Sequence, residues 1–238
     1  MSDSVERPAA RVVTRPALTF KVRRRKLSAK RQGEFEEWLP RWSIEVEGPE
    51  LVWAEVFPGP GGAERDALRG VVLDIGFGHG ESTIEMARVD PGLDVIGVEV
   101  HDPGVVTVLD AIENEPLPHV RVVHGDLVRF LRRIPGESLR HIRIYFPDPW
   151  KKTRQHHRRL VREDIVGALT DRLEIGGSLH LATDIADYAE QMERVCDAED
   201  RLDGGVISRP SSRPWTRFEQ RGIDEGRPST DLLYVRAT

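Results

Sequence analysis

Between residues 71 and 182 the chain alternates two hydrophobic patterns. Short apolar runs bounded by turn residues fall at 71–75, 94–100, 120–124, 141–146 and 177–182, with the length and β-branched content of buried strands. Between them, apolar residues recur at helical spacing over 81–88, near 105–113, over a short stretch at 127–133, and within 158–173. After Asp184, the stripe of Ile185, Tyr188, Ala189, Met192, Val195 and Cys196 predicts another helix whose apolar face is core. Strands alternating with helices over short loops predict an α/β domain: a mostly parallel sheet with helices on both faces. Ligands on such sheets bind beyond the carboxyl ends of the strands.

The N-terminal part differs. Residues 1–42 are Arg-rich, carry three prolines and show no periodicity until Phe35, Trp38 and Leu39 suggest a short amphipathic helix. The division expected is a basic arm with a helical lead-in over 1–45 and one α/β domain over 46–238. Within that domain Pro58-Gly59-Pro60-Gly61-Gly62 predicts a loop, because proline and glycine interrupt both helices and ladders. A length of 238 residues suits one substantial core.

Composition narrows the class. Hydrophobic residues at 39% and charged residues at 32% fit a soluble globular chain. The first ten residues lack the apolar run of a signal peptide, and no stretch approaches the ~20 apolar residues that span a bilayer. A cytoplasmic protein with no membrane partner is therefore expected. The single cysteine, Cys196, excludes an internal disulfide and a cysteine zinc cluster, and reads as a small buried hydrophobe. His156-His157 are adjacent, so they cannot share a helix face, and no third ligand is near; no metal is expected. Of the oligomeric states, a monomer is favoured.

Charge is unevenly placed. The net charge is −5, yet residues 1–33 carry ten Lys or Arg against two acids and residues 151–162 carry six against none. Two basic islands on an acidic body suggest contact with a polyanion.

The chemistry starts at Leu73-Asp74-Ile75-Gly76-Phe77-Gly78-His79-Gly80, which follows an apolar strand and opens a helix. Glycines at alternate positions let the backbone approach a bulky ligand and take positive φ. His79 reads as a loop residue. Glu99 ends the next strand, where doubly wound folds place an acid to accept from ribose hydroxyls. Asp126 ends the third, where a carboxylate can accept from an adenine amino group. An acidic rim of Asp74, Glu99 and Asp126 repels a pyrophosphate but suits a cationic sulfonium. The cofactor expected is S-adenosylmethionine.

After the fourth strand comes Phe146-Pro147-Asp148-Pro149-Trp150-Lys151-Lys152, then Arg154, His156, His157, Arg158 and Arg159. Two prolines flanking one aspartate hold a carboxylate rigidly at a strand's carboxyl end. At this point the chain resembles the bacterial tRNA (guanine-N(7))-methyltransferase family. The resemblance runs from about Gly70 to Gly222, through the glycine turn, Gly97-Val98-Glu99-Val100-His101, the Pro-Asp-Pro-Trp segment, Ala182-Thr183-Asp184, and Arg213-Pro214-Trp215-Thr216-Arg217-Phe218-Glu219.

The resemblance implies a Rossmann-like class I methyltransferase fold, S-adenosylmethionine as cofactor, and tRNA as partner, with the guanosine at position 46 of the variable loop as target. It places Asp74, Glu99, Asp126 and Asp148 against the cofactor beside Gly76, Gly78 and Gly80, with Asp148 also the catalytic carboxylate. It places Lys152, Asp184, Thr216, Arg217, Phe218 and Glu219 against the substrate, and Arg154, Arg158 and Arg159 against RNA. Asp74 stands where many relatives carry Glu, and Arg217 where many carry Lys; both changes keep the charge. Asp184 and Glu219 are expected to accept from the donor edge of guanine, although Asp184 also suits a helix N-cap. The basic arm at residues 21–30 is expected to grip RNA. Three alternatives stand beside this reading: methylation of an exocyclic amine of a base, an inactive RNA-binding scaffold, and a nicotinamide dehydrogenase.

Overall fold

The five strands expected from the apolar runs lie side by side and parallel: β1 (Val71–Ile75), β2 (Asp94–Glu99), β3 (Val120–His124), β4 (Leu139–Tyr145) and β5 (Leu173–Thr183). The computed structural model describes residue 20, residues 26–59 and residues 68–238. Most of the basic arm, through residue 25, and residues 60–62 of the expected proline-glycine loop lie outside the described residues.

Two further strands, β6 (Leu202–Ile207) and β7 (Thr230–Arg236), complete a seven-stranded sheet of order β3-β2-β1-β4-β5-β7-β6. β7 enters between β5 and β6 and runs antiparallel to both. Neither strand stands out in the sequence pattern. β6 carries Asp203-Gly204-Gly205, and Gly204 is required because a Cβ there would lie 2.1 Å from the carbonyl oxygen of Leu233. β7 becomes an inner strand by burying Leu232 and Tyr234. β5 begins four residues before the expected run because Leu173 already pairs with Leu139, ahead of a register shift.

Alternation along β1 divides the core in two. Val71, Leu73 and Ile75 face one cluster, shared with α5 (Leu127–Phe130), α6 (Glu163–Thr170) and α7 (Ala186–Asp197). Val72 faces the other, shared with α3 (Glu81–Val89) and α4 (Asp102–Asn114). Cys196 is buried in the first cluster, and burial with the neighbouring Asp197 pushes its thiol up to about 12.

The helical lead-in is longer than the sequence suggests and belongs to the domain. α1 (Ala29–Trp42) is N-capped by Ser28, which accepts from the Arg31 N–H. Phe35, Trp38, Leu39 and Trp42 pack on the second cluster, and the Trp42 indole donates to Glu113 at 2.8 Å. The Ile44 N–H then donates to the Val122 carbonyl, so the chain joins the edge of β3. Its packing therefore runs across the expected boundary at residue 45. A short α2 (Trp53–Val56) follows, and α8 (Arg217–Asp224) precedes β7.

One glycine outside the expected motif fixes where the turn after β1 sits. Gly104, in the first turn of α4, lies so close that a Cβ would fall 1.6 Å from the Gly78 carbonyl oxygen. Gly104→Ala should therefore displace the turn and cost ~1–3 kcal/mol in urea unfolding, as overpacking does. A denaturation midpoint equal to the parent's would show that the helix simply slides away.

Candidate cofactor and substrate site

The turn after β1 is built from backbone geometry. Gly76, Gly78 and Gly80 have φ of +72°, +60° and +83°, a region that penalises side chains. Gly80 also caps α3, where a Cβ would meet Val108 at 2.3 Å, whereas Gly76 has open space beside it. Glu99 at the end of β2 ties this turn down. Its Oε2 accepts from the Gly78 N–H at 2.7 Å, and its Oε1 accepts from Val100 and His101 N–H groups at 2.6 and 3.0 Å. Burial raises the Glu99 pKa against those hydrogen bonds, and the charge of Asp148 raises it further.

Asp74 sits beneath the turn, accepting from the Thr83 hydroxyl at 2.6 Å. Its burial raises its pKa more than Thr83 and Arg143 lower it. Asp126 caps α5, accepting from the Val128 N–H at 2.7 Å.

A cleft of about 480 Å³ opens at these strand ends, between the glycine turn and Glu99 on one side and Asp148, Asp184 and Phe218 on the other. That volume falls in the range of small-molecule sites. The open space at Gly76 and the four acids that line the cleft, Glu99, Asp148, Asp184 and Glu225, fit an adenosyl group joined to a cationic amino acid.

The Pro147-Asp148-Pro149 bend is held under strain. Phe146 and Trp150, which flank it, both have positive φ, +51° and +43°, at a cost of ~1–3 kcal/mol each. Three interactions oppose that cost. The Phe146 N–H donates to the Ala182 carbonyl at 2.8 Å, Arg159 Nε donates to the Pro149 carbonyl at 2.9 Å, and Trp150 is buried beneath Arg158. The bend carries Asp148 into the cleft that Glu99 also lines.

The far wall comes from α8. Thr216 is its N-cap and accepts from the Glu219 N–H at 3.0 Å, half of a capping box. Phe218 reaches back toward the turn, its ring 3.8 Å from where a Gly78 Cβ would lie. Beneath the helix lies a buried ionic network. Glu219 accepts from Arg213 at 2.7 and 2.9 Å, from Arg209 at 2.7 Å and from Ser229 at 2.9 Å. Arg213 also donates to Asp231 at 2.7 and 2.9 Å, and Asp231 meets His180, which meets the Tyr145 hydroxyl. Burial works to raise the pKa values of Glu219 and Asp231, yet their charged and hydrogen-bonding partners outweigh it and hold both below the usual carboxylate range.

Comparison with known proteins fits this geometry. Residues 69–232 match the family described as "Putative methyltransferase". The tRNA (guanine-N(7)-)-methyltransferase of Streptomyces coelicolor is 39% identical over 237 residues, covering 96% of this chain and 84% of that protein. Its counterpart in Xanthomonas campestris pv. campestris is 41% identical over 228 residues, covering 93% and 84%. The chain belongs to the tRNA (guanine-N(7)-)-methyltransferase family. Its fold is also that of the precorrin-6y C5,15-methyltransferase of Geobacter metallireducens, with a TM-score of 0.50 over 71% of this chain and 82% of that one, at 14% identity.

Within this family member, several expected roles change. Glu219 is 1% exposed and each of its oxygens is engaged by arginine, so it is a structural anchor for α8 and does not present itself to a base. Arg159 is likewise 1% exposed, donating to Pro149, Asp187 and Gln191 and stacking on Tyr188, so it props the Pro-Asp-Pro bend and is withdrawn from RNA. Asp184 is not an N-cap; Ile185 holds that position, and the Asp184 carboxylate pairs with Arg227 at 2.9 Å. Arg217 is exposed and pairs with Glu81 at 2.5 Å. Lys152 and Arg154 are exposed, and Arg158 is half-buried over Trp150.

Arg213, Asp231, His180 and Arg227 were not expected at the site. The Thr216–Glu219 capping pair could have been read from its spacing alone, whereas the bridging role of Arg213 and the place of Asp231 depend on the unforeseen β7. Among the described residues no three His, Cys, Asp or Glu side chains gather as metal ligands, and no helix is long and apolar enough to cross a membrane.

Removing Arg213 leaves two buried carboxylates without their shared cation. Arg213→Met should cost ~3–5 kcal/mol of stability by denaturant unfolding. In the parent, the depressed pKa values put the contribution of Glu219 and Asp231 in place above their ordinary values of 4.5 and 3.8. That contribution is lost as pH falls through the lower folded values. A pH series of unfolding midpoints should therefore decline on the acid side more steeply for the parent than for Arg213→Met; parallel curves would contradict the network.

Proposed function

We propose that the protein transfers the methyl group of S-adenosylmethionine to N(7) of a guanosine in tRNA, at position 46 of the variable loop. The observation that carries this reading is Asp148, held by a strained bend in one cleft with the glycine turn and Glu99. When bound, S-adenosylmethionine supplies an electrophilic methyl on a sulfonium. The N(7) lone pair of guanine bears no proton, so its attack requires no general base.

What the chain must supply is placement and charge. Asp148 stabilises the positive charge that develops on the purine and orients the ring. Its rigidity matters, because a carboxylate free to swing would lose the alignment. Asp184 accepts from the donor edge of guanine, and Phe218 closes the cleft over the ring face. Glu99 and Asp126 receive the ribose and adenine of the cofactor, and Asp74 supports the turn from below. Lys151, Lys152 and Arg154, all exposed beside the bend, meet phosphates, with the basic segment at residues 21–30 extending that interaction. A cytoplasmic location accompanies such a substrate.

The decisive assay is incubation with labelled S-adenosylmethionine and unmodified tRNA, then cleavage chemistry specific for 7-methylguanosine. Label at the variable-loop guanosine is expected, and its absence overturns the reading. Asp148→Ala should keep tRNA affinity yet lose most turnover; near-normal turnover would remove its catalytic role. Replacing Lys151, Lys152 and Arg154 by alanine should reduce the magnitude of the slope of log affinity against log salt by about 0.7–0.9 for each phosphate that these side chains neutralise. An unchanged slope would place them away from RNA.

A further inference from the structure

Trp215 and Phe218 are the only phenylalanine, tyrosine or tryptophan side chains among the described residues that are well exposed, at 58% and 47%. They bracket the N-cap of α8. Phe218 lines the cleft, whereas Trp215, three residues before it in the chain, does not. Its indole is backed by a fixed cation: the Arg209 guanidinium lies 3.8 Å from the ring centroid. That guanidinium is itself pinned, donating to Glu219 at 2.7 Å, the Arg213 carbonyl at 2.7 Å and the Pro210 carbonyl at 3.1 Å. One face of the indole is thus filled, while over half of the residue remains open to solvent.

We propose that Trp215 is a stacking platform for the nucleotide next to the target guanosine. This inference rests on the tRNA reading above. Turning a base into a cleft strips its neighbour of a stacking partner, and the enzyme must compensate. A flat ring immobilised by a cation behind it can take that neighbour as the third layer of an Arg209–Trp215–base stack. Such stacking is tolerant of sequence, because every base has a π face. The surroundings suit RNA better than a protein partner. Trp215 stands among exposed polar residues, Ser211, Ser212 and Arg217, and α8 adds a further exposed cation at Arg221.

The test compares Trp215→Ala and Trp215→Phe with the parent in tRNA binding, tRNA methylation and intrinsic fluorescence. Trp215→Ala should weaken tRNA binding about tenfold, within the range of a single base stack, and Trp215→Phe should lose much less. Adding tRNA to the parent should quench tryptophan emission, with most of that quench gone in Trp215→Phe. S-adenosylmethionine affinity by calorimetry should be the same in all three, which also shows that the variants are folded. Unaltered tRNA affinity and methylation in Trp215→Ala would overturn the inference alone. A loss in Trp215→Ala without any quench in the parent would mark a structural role and overturn it as well. A parent that binds tRNA with the quench but leaves its guanosine unmethylated would instead overturn the assigned reaction and leave the stack standing.

Discussion

The site depends first on one carboxylate and the three N–H groups it gathers. Glu99 binds Gly78 across the gap between β1 and β2 while also holding the two residues that lead into α4. A glycine turn has no side chains with which to hold its own shape. Without that external clamp, the freedom that lets it approach a ligand would be spent in conformational entropy. The carbonyl of Gly78, pressed against Gly104, fixes the turn from the other side. The turn is therefore gripped between an acid and a missing methyl group. The arrangement has a cost, since burial beside Asp148 raises the Glu99 pKa. Two negative groups near one cleft are what a cationic ligand would relieve.

The two walls of the cleft are stiffened by different means. On the Asp148 side, prolines and two left-handed residues fix the backbone, and Arg159 and Trp150 stabilise the bend from beneath. On the α8 side the short helix carries little apolar surface of its own, with only Glu219 and Gly222 buried. Its position comes instead from Arg213, which joins Glu219 on the helix to Asp231 on β7. Buried ions are weak sources of stability compared with apolar packing, but their geometry is specific, and here it aligns a helix with a strand.

The parallel half of the sheet was legible in the sequence because β1 and β2 are buried along their whole length and β3, β4 and β5 each keep one face in the core, so each reads as a short apolar run or an apolar alternation. The glycine turn and the Pro-Asp-Pro bend were legible too, since their backbone demands permit few residue types. β6 and β7 were not. Their polar and glycine positions are tolerated only because each lies against the other, a fact of pairing that no local pattern carries. The same limit explains the charged residues that changed role. The resemblance places Arg159 against RNA and Glu219 against the substrate, yet whether a charge points outward or is consumed by a partner depends on residues 28 positions away, at Asp187, or six away, at Arg213. Arg154 and Lys152, in the same run as Arg159, do remain at the surface.

The placement of β7 bears on how the molecule assembles. The strands that carry the glycine turn, Glu99 and Asp148 are complete by residue 145, and consecutive parallel pairings can close as the chain emerges. The opposite wall must wait. β6 has no partner until β7, later in the chain, slides in between it and β5, and only then does Asp231 meet Arg213 and draw α8 into position. The order of synthesis thus separates the two halves of the cleft in time: a growing chain can shape the side built by the glycine turn, Glu99 and Asp148 well before α8 is drawn up opposite it.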